Sequence, residues 1–423
     1  MNKVENDSLF KTKLFKTLVG VDDALKLIRE SLEDNIVDKV EVDVSDSLHH
    51  YSAEDVYATQ DVPNYDRSAV DGYAVISTDV IGSSITNPII LNVIEKIYAN
   101  SSYDMLKPLN HGEASIVYTG APLPPNADAV VMFEDTKADG LKVQIFRPVS
   151  PYQNVSRKGE DFQRGSIVIE KGTLIRPWHI AALLSTGYEK IRVFRRVKVG
   201  VMSTGSELTE KWQNVGVINT TKPLLLSLVK EEFCEAYDFG TVPDDVNAIR
   251  DRILFALKDV DILLTTGGTS VGATDLVSDA ISSICGSKII FHGVRMRPGK
   301  PTGMAIVKGK PLFILSGYPV ASFTGFEVFV KSAINILRGS KPSFYPKIKA
   351  KLARRLAKPV GVKAFVRIKV YQVNGEYVAE PLRLTGSGLL STLTRGNALL
   401  VIDEDVEGYD ENDIVEVQLL EWE

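Results

Sequence analysis

The sequence predicts a multidomain α/β protein: a central doubly wound α/β domain, a β-rich inserted domain and a small C-terminal β domain. Three observations carry that reading. Apolar runs alternate with amphipathic segments between residues 197 and 338, the pattern of a parallel sheet with helices on both faces. Short β-type runs separated by polar turns fill residues 51–149 and recur after residue 346. And 423 residues exceed what one core usually organises; roughly 150 residues per domain suggests about three domains.

The elements follow in order. VGVDDALKLIRESL has the spacing of one helix, and IILNVIEKIY, ASIVYTG, DAVVMFED and LKVQIFRPV are β-type runs. The expected division is a discontinuous framework of residues 1–50 and 150–195, a β-rich insertion over 51–149, an α/β domain over 196–340 and a β domain over 341–423. The last junction, RGSKPSFYPK, has the Pro, Gly and Ser of a linker. Within the central domain VKVGVM, EAYDFGTV, DILLTT, KIIFHGVRM and PLFILSG read as strands. PLLLSLVKEEF, PDDVNAIRDRILFALKDV, DLVSDAISSI and PVASFTGFEVFVKSAINILRG read as helices, the first with Pro223 at its first position. Ligands of such sheets sit at the carboxyl ends of the strands, so the loops after VGVM, ILLTT, HGVRM and FILS should gather around one site.

Composition excludes several classes. A net charge of -5 argues against non-specific nucleic-acid binding, although a local site can still hold an anion. The two cysteines, Cys234 and Cys285, lie in no CxxC or Cys/His cluster, which disfavours a thiolate zinc site and a disulfide framework; both read as small buried residues. No signal-type core and no apolar run of about 18 residues is evident, so a cytoplasmic chain without membrane partners is expected. The five histidines form no metal-binding or nucleophile pattern, which leaves carboxylates, and hence magnesium, for any metal.

Five glycine-punctuated polar stretches can carry chemistry: YDRSAVDGYA, YTGAPLPPNADAV, RKGEDF, STGSELTE, and the pair TTGGTSVGATD with VRMRPGKP. In VRMRPGKP, Pro298 and Pro301 stiffen a turn, Gly299 admits a close ligand, and Arg297 and Lys300 are two cations suited to phosphate or another oxyanion. The spacing is not that of a P-loop, so P-loop ATP hydrolysis is disfavoured. In TTGGTSVGATD, the amides of Gly267 and Gly268 and the hydroxyls of Thr269 and Ser270 suit an anion nest. Asp275 has three open readings: a helix N-cap, a magnesium ligand, or an acceptor for heterocycle N–H groups. Glu207 and Asp244 equally suit helix capping or a metal. Asp66, Ser68 and Asp71 suit a surface turn or a site, and Asp161 a solvated charge run or a site.

Together these stretches resemble the MoeA family of molybdopterin molybdenumtransferases, which includes the E domain of gephyrin. DRSAVDGYA, YTGAPLPPNADAVVMFED, RKGEDF, STGSEL, TGGTSVGATD, RMRPGKP, LSGYPVAS and TGSGLLSTLTRGNALLVI follow that family's motifs in order, from about residue 50 to 402. The resemblance implies insertion of molybdate, or tungstate, into the dithiolene of adenylylated molybdopterin, with magnesium-dependent release of AMP. It implies Asp66, Thr119, Asp161, Glu207, Asp275, Arg297 and Lys300 as catalytic residues. Ser68, Asp71, Gly267, Gly268, Thr269, Ser270, Gly299 and Ser316 would bind substrate, and Glu207, Asp244 and Asp275 magnesium. It further implies an elongated homodimer whose site is shared, Asp66, Ser68 and Thr119 acting in trans, with a molybdopterin adenylyltransferase as upstream partner. Arg67, Ala273, Arg297, Ser316 and Tyr318 depart from the family's usual residues. Two competing readings are an adenylyltransferase on the same ligand and a binding scaffold. The flanking motifs argue against the first, and the lack of a long linker against the second.

Overall fold

The structure, a computed structural model, describes residues 18–211, 216–268, 275–341, 345–383 and 386–420. The chain divides into two compact units. One is residues 41–193; the other joins the segment up to Val40 with the chain from Phe194 onward.

The 41–193 unit is built on a six-stranded sheet ordered Ala129–Met132, Gly72–Val75, Glu113–Val117, Ile89–Ile97, Lys142–Ile145, Thr136–Asp139. Tyr73, Val75, Leu91, Val131 and Val143 make its core. Four of these strands were expected from alternation, whereas Gly72–Val75 was hidden inside the DGYA motif. It sits between two neighbours, and a Cβ on Gly72 would lie 2.1 Å from the Val131 carbonyl oxygen. Its placement at the sheet's interior explains why a motif glycine occupies a strand. The short strand Arg67–Ser68 pairs with Val155–Ser156, which brings two motifs together.

In the other unit the central sheet has six strands: β1 (Lys198–Thr204), β2 (Glu235–Val242), β3 (Ile262–Thr266), β4 (Lys288–His292), β5 (Gly303–Val307) and β6 (Lys310–Leu315), in the spatial order β2-β1-β3-β6-β5-β4. The first four in that order are parallel, and β5 runs antiparallel to both β6 and β4, so β4 again follows the direction of the first four. The expectation of an all-parallel sheet is corrected on this edge. Strand β5 was missed; it turns into β6 through Lys308 and Gly309, both at positive φ, a two-residue hairpin turn. KIIFHGVRM is also not one strand: the chain bends at Gly293, φ +93°, and Met296–Arg297 pairs instead with Lys363–Ala364.

The helices between and after these strands are α1 (Thr221–Glu231), α2 (Val246–Ala256), α3 (Leu276–Ser282) and α4 (Pro319–Leu337), the last with a π turn at Phe326–Val330; the helix expected near the N-terminus spans Val21–Leu32. Pro223 is the third residue of α1 rather than the first, still among the four N–H positions that lack helical partners. By length and hydropathy α4 could span a bilayer, but most of it is buried, Phe326, Phe329, Val330 and Ile334 among its interior residues; it is a core helix. Its half-buried Lys331 is paired with Glu232 at 2.8 Å and Glu327 at 3.4 Å, which offsets the desolvation of all three. Cys234 is buried as expected; Cys285 is exposed, against expectation, in the turn after α3.

The five longer C-terminal strands match the five β-type runs of the sequence, while the short pair Leu356–Ala357 and Gly408–Tyr409 was not marked there. Lys347–Leu352, Lys363–Val373, Glu376–Pro381, Ala398–Ile402 and Ile414–Leu419 close into a ring, because Lys363–Val373 also pairs with Ala398–Ile402. Leu352, Val366, Ile368, Leu400 and Val417 fill it.

Gly72→Ala should destabilise the 41–193 unit by about 1–3 kcal/mol, the usual cost of forced overpacking. Thermal unfolding followed by limited proteolysis of that unit checks this, and a wild-type midpoint would contradict it.

Candidate functional site

The residues singled out from sequence fall into two groups, one in each unit. In the 41–193 unit, a cleft of about 630 Å³ is lined by Arg67, Ser68, Thr119, Gly120, Ser156 and Asp161, among others. Four separate stretches of sequence thus meet there. Asp71 accepts hydrogen bonds from the Thr119 amide and hydroxyl, both at 2.7 Å. These two bonds, the amide's first, hold its carboxyl below the usual range. Asp71 therefore fixes the Thr119 side chain at the cleft. Ser68 is buried and donates to the Val70 carbonyl. Asp66 lines a neighbouring cleft of about 770 Å³ and accepts from the Lys158 amide at 2.7 Å. Asp161 is exposed at the cleft mouth.

Sequence reasoning noticed Arg67 only as a departure. The structure lays its guanidinium over the Tyr65 ring at 4.8 Å, with Nη2 on the Asn64 side-chain oxygen at 2.9 Å. Its Nε is buried and has no partner among the described residues.

The second group crowns the carboxyl ends of β1, β3 and β6. Thr204 ends β1, Gly267 follows β3 and Ser316–Gly317 follows β6. A Cβ on Gly267 would lie 2.2 Å from the Thr204 carbonyl oxygen, and one on Gly268 2.6 Å from Thr204 Oγ1. Both glycines have positive φ, +92° and +63°. Thr204 Oγ1 is buried against this turn without a partner among the described residues. The Ser316 carbonyl accepts from the Thr266 hydroxyl at 2.8 Å and from Ser322, and the Gly317 carbonyl from Thr221 at 2.7 Å. Ser316 Oγ in turn accepts from the Tyr318 amide at 3.2 Å. Thr269, Ser270 and Ala273 lie outside the described residues.

Glu207 and Asp244 belong to neighbouring turns of this crown. The Ser206 amide donates to Asp244 at 3.1 Å, and the Asp244 amide to the Ser206 hydroxyl at 3.1 Å. The neighbouring Asp245, rather than Asp244, caps α2, through the Ala248 amide. The buried Lys222, unremarked in the sequence, pairs with Glu210 at 2.9 Å and Asp238 at 3.1 Å, and Glu210 also accepts from Thr241. That network holds down the turn that carries Glu207. No sequence pattern marks it, because its members are brought together only by α1 lying beside β2.

Asp275 is the N-cap of α3, its Oδ1 accepting from the Ser278 amide at 3.2 Å. Its Oδ2 lies 3.2 Å from Nδ1 of His292, the last residue of β4. Burial pushes the His292 ring towards its neutral form, opposed by the Asp275 charge.

The basic loop leaves β4 just beyond. Gly299 is buried at φ +104°, and a Cβ there would meet the Met296 methyl at 2.9 Å. Its carbonyl accepts from the Thr302 amide and hydroxyl, at 2.9 and 2.7 Å. Pro298 is buried while Arg297 and Lys300 are exposed, and neither cation has an ion pair among the described residues. The loop is a rigid bracket that presents two uncommitted charges. The C-terminal domain reaches the same crown: the Val320 amide donates to the Ser387 carbonyl at 3.0 Å, and Gly388 lies against Tyr318.

A glycine-bent strand-end crown with a fixed cation pair defines an α/β protein that receives an anionic ligand at its sheet's carboxyl edge. Known proteins sharpen the class. Three family models match in succession: "MoeA N-terminal region (domain I and II)" over residues 19–187, "Probable molybdopterin binding domain" over 200–336 and "MoeA C-terminal region (domain IV)" over 349–420. The chain belongs to the MoeA family. It is 37% identical to a putative molybdopterin biosynthesis protein of Methanocaldococcus jannaschii, covering 96% of this chain and 100% of that one. It is 34% identical to the molybdopterin molybdenumtransferase of Staphylococcus epidermidis, over 96% of each. A solved MoeA protein of Pyrococcus horikoshii OT3 superposes with a TM-score of 0.80 at 35% identity, covering 95% of this chain and 100% of that one.

Asp71 has a depressed folded pKa, so its contribution to stability is present above the unfolded carboxylate range and is lost as pH falls through the folded value. Thr119→Val removes the hydroxyl donor and keeps the amide. Asp71 should then titrate at higher pH than in the wild type yet below an ordinary carboxylate. Carboxyl NMR reads this directly, and an unshifted titration would show that the hydroxyl does not hold the charge.

Proposed function

We propose that this chain is a molybdopterin molybdenumtransferase that inserts molybdate, or tungstate, into the dithiolene of adenylylated molybdopterin and releases AMP. The observation that carries the reading is the Arg297–Lys300 bracket, two exposed cations without ion pairs among the described residues, on a turn fixed by Gly299 and Thr302. Its setting supports the assignment: a crown formed by three strand ends, in a chain similar along its length to named molybdenumtransferases. Arg297 supplies a fork and Lys300 a point charge for phosphate or molybdate oxygens. The amides of Gly267 and Gly268 are the donors for the phosphates in this reading, with the Ser316 hydroxyl beside them. The fixed positions of these donors let them stabilise charge that develops on the leaving adenylate.

Magnesium fits the donor set on chemical grounds: Glu207, Asp244 and Asp275 offer only oxygen. Among the described residues no three potential ligands converge, so Glu207, Asp244 and Asp275 do not form one three-carboxylate cage; one or two of them would hold the cation together with substrate phosphates. When bound, magnesium polarises the phosphoanhydride as a Lewis acid. The Asp66, Ser68, Thr119 and Asp161 group completes the site from a second copy in a homodimer. We also place the enzyme in the cytoplasm, supplied by an adenylyltransferase acting on molybdopterin.

Single-turnover AMP release tests this. Wild-type protein should release AMP only when molybdate is present, and a chelator of divalent cations should stop release. Molybdate-independent release, or consumption of ATP instead, would overturn the assignment. Lys300→Ala and Arg297→Ala should each lower kcat/KM by about 10²–10³, the usual range for loss of one preorganised charge-stabilising group, with Arg297→Lys less impaired. Mixing the separately inactive Asp66→Ala and Lys300→Ala proteins should restore activity to about a quarter of wild type if subunits exchange at random and each site draws on both copies. No restoration after verified exchange would refute the shared site.

A further inference from the structure

His292 was set aside at the level of sequence because it forms no metal-binding motif. The structure gives it a different setting. Its Nδ1 lies 3.2 Å from Asp275 Oδ2 and 3.0 Å from Ser278 Oγ. The other carboxylate oxygen, Oδ1, is committed to the Ser278 amide. A cap alone holds one oxygen and leaves the carboxylate free to swing about that bond. A second contact on the second oxygen fixes the plane, while each oxygen keeps a lone pair for a ligand.

The ring itself is held in place. It closes the β4–β5 pair opposite Gly303, and a Cβ on Gly303 would lie 2.8 Å from His292 Cδ2. The imidazole therefore occupies space that any other residue at 303 would contest. An ionised carboxylate can only accept, so the Nδ1 contact holds Oδ2 when that ring nitrogen is the donor. His292 also immediately precedes the turn that bears Arg297 and Lys300.

We propose that His292 is a positioning residue for the transferase reaction, fixing the orientation of the Asp275 carboxylate through Nδ1 and tying the N-terminus of α3 to the start of the basic loop. The proposal rests on Asp275 meeting the substrate or its metal, as read above. Nothing in a helix-capping role alone requires the histidine.

The test uses the stereochemistry of the two ring nitrogens. An asparagine amide nitrogen reaches the position of Nδ1, whereas a glutamine amide reaches that of Nε2 and fills more of the ring's volume. His292→Asn, His292→Gln, His292→Ala and Asp275→Asn are compared in full-length protein. The readouts are single-turnover AMP release across a magnesium series, calorimetric binding of adenylylated molybdopterin with and without magnesium, and thermal melting. Orientation through Nδ1 predicts that His292→Ala and His292→Gln lose about 10–100-fold in affinity or rate, the usual effect of removing a group that orients a ligating side chain, and that His292→Asn recovers to within a few-fold of wild type. Equal or better performance of Gln than Asn would show that the ring matters only as volume and would overturn the proposal. Wild-type behaviour of all three His292 variants while Asp275→Asn is impaired would also overturn it, leaving the function of Asp275 intact. A silent Asp275→Asn would remove the reading of Asp275 first, and the proposal with it.

Discussion

The crown of the central sheet depends on an absence of side-chain atoms at Gly267. The turn after β3 passes so close to the end of β1 that a single Cβ would stand 2.2 Å from the Thr204 carbonyl oxygen. With that contact open, the turns after β1, β3 and β6 share one small space, and Thr266, Thr221 and Ser322 pin the third of them from behind. With it closed, one turn would have to lift away and carry the amides of Gly267 and Gly268 with it. Backbone donors reach a ligand only where no side chain intervenes, which is the use of glycine here.

Around that point the structure distributes charge by confinement. Carboxylates are held by neighbouring amides: Asp275 by Ser278 and Asp244 by Ser206. The buried Lys222 is matched by Glu210 and Asp238. Arg297 and Lys300 are exposed on a stiff turn and have no ion pair among the described residues. Cations intended for an external anion bind it best when no internal anion competes, and a rigid turn reduces the ordering that binding must impose.

Much of this was legible before any coordinates. Alternation of apolar and amphipathic runs located β1, β2, β3 and β6 with the helices between them, and period-two runs located the C-terminal ring. What escaped has physical causes. Strand β5 was masked by its own hairpin, since Lys308–Gly309 looks like loop composition while its positive φ values make it a strand-reversing turn. KIIFHGVRM is apolar enough for one strand, and only pairing of Met296–Arg297 with Lys363–Ala364 divides it. Gly72–Val75 carries a motif and a strand in the same residues, and the motif obscured the strand. His292 and Lys222 had no local pattern to give them away, because their partners come from other elements. The candidate site was visible as a set of loops, but the side chains that orient its members were not.

The pairing of Met296–Arg297 with Lys363–Ala364 means that the bracket's geometry is not the property of the central domain alone. One flank of the loop is stitched to the C-terminal ring, and Ser387, in a loop between two of that ring's strands, holds the start of α4 through the Val320 amide. The central domain is therefore not an interchangeable cassette. Transplanted by itself into another protein it would keep its sheet and its glycine turn but lose the seam that sets the pitch of its two cations. Modular ancestry and modular function part company here, because an active loop can be inherited with one domain and tensioned by the next.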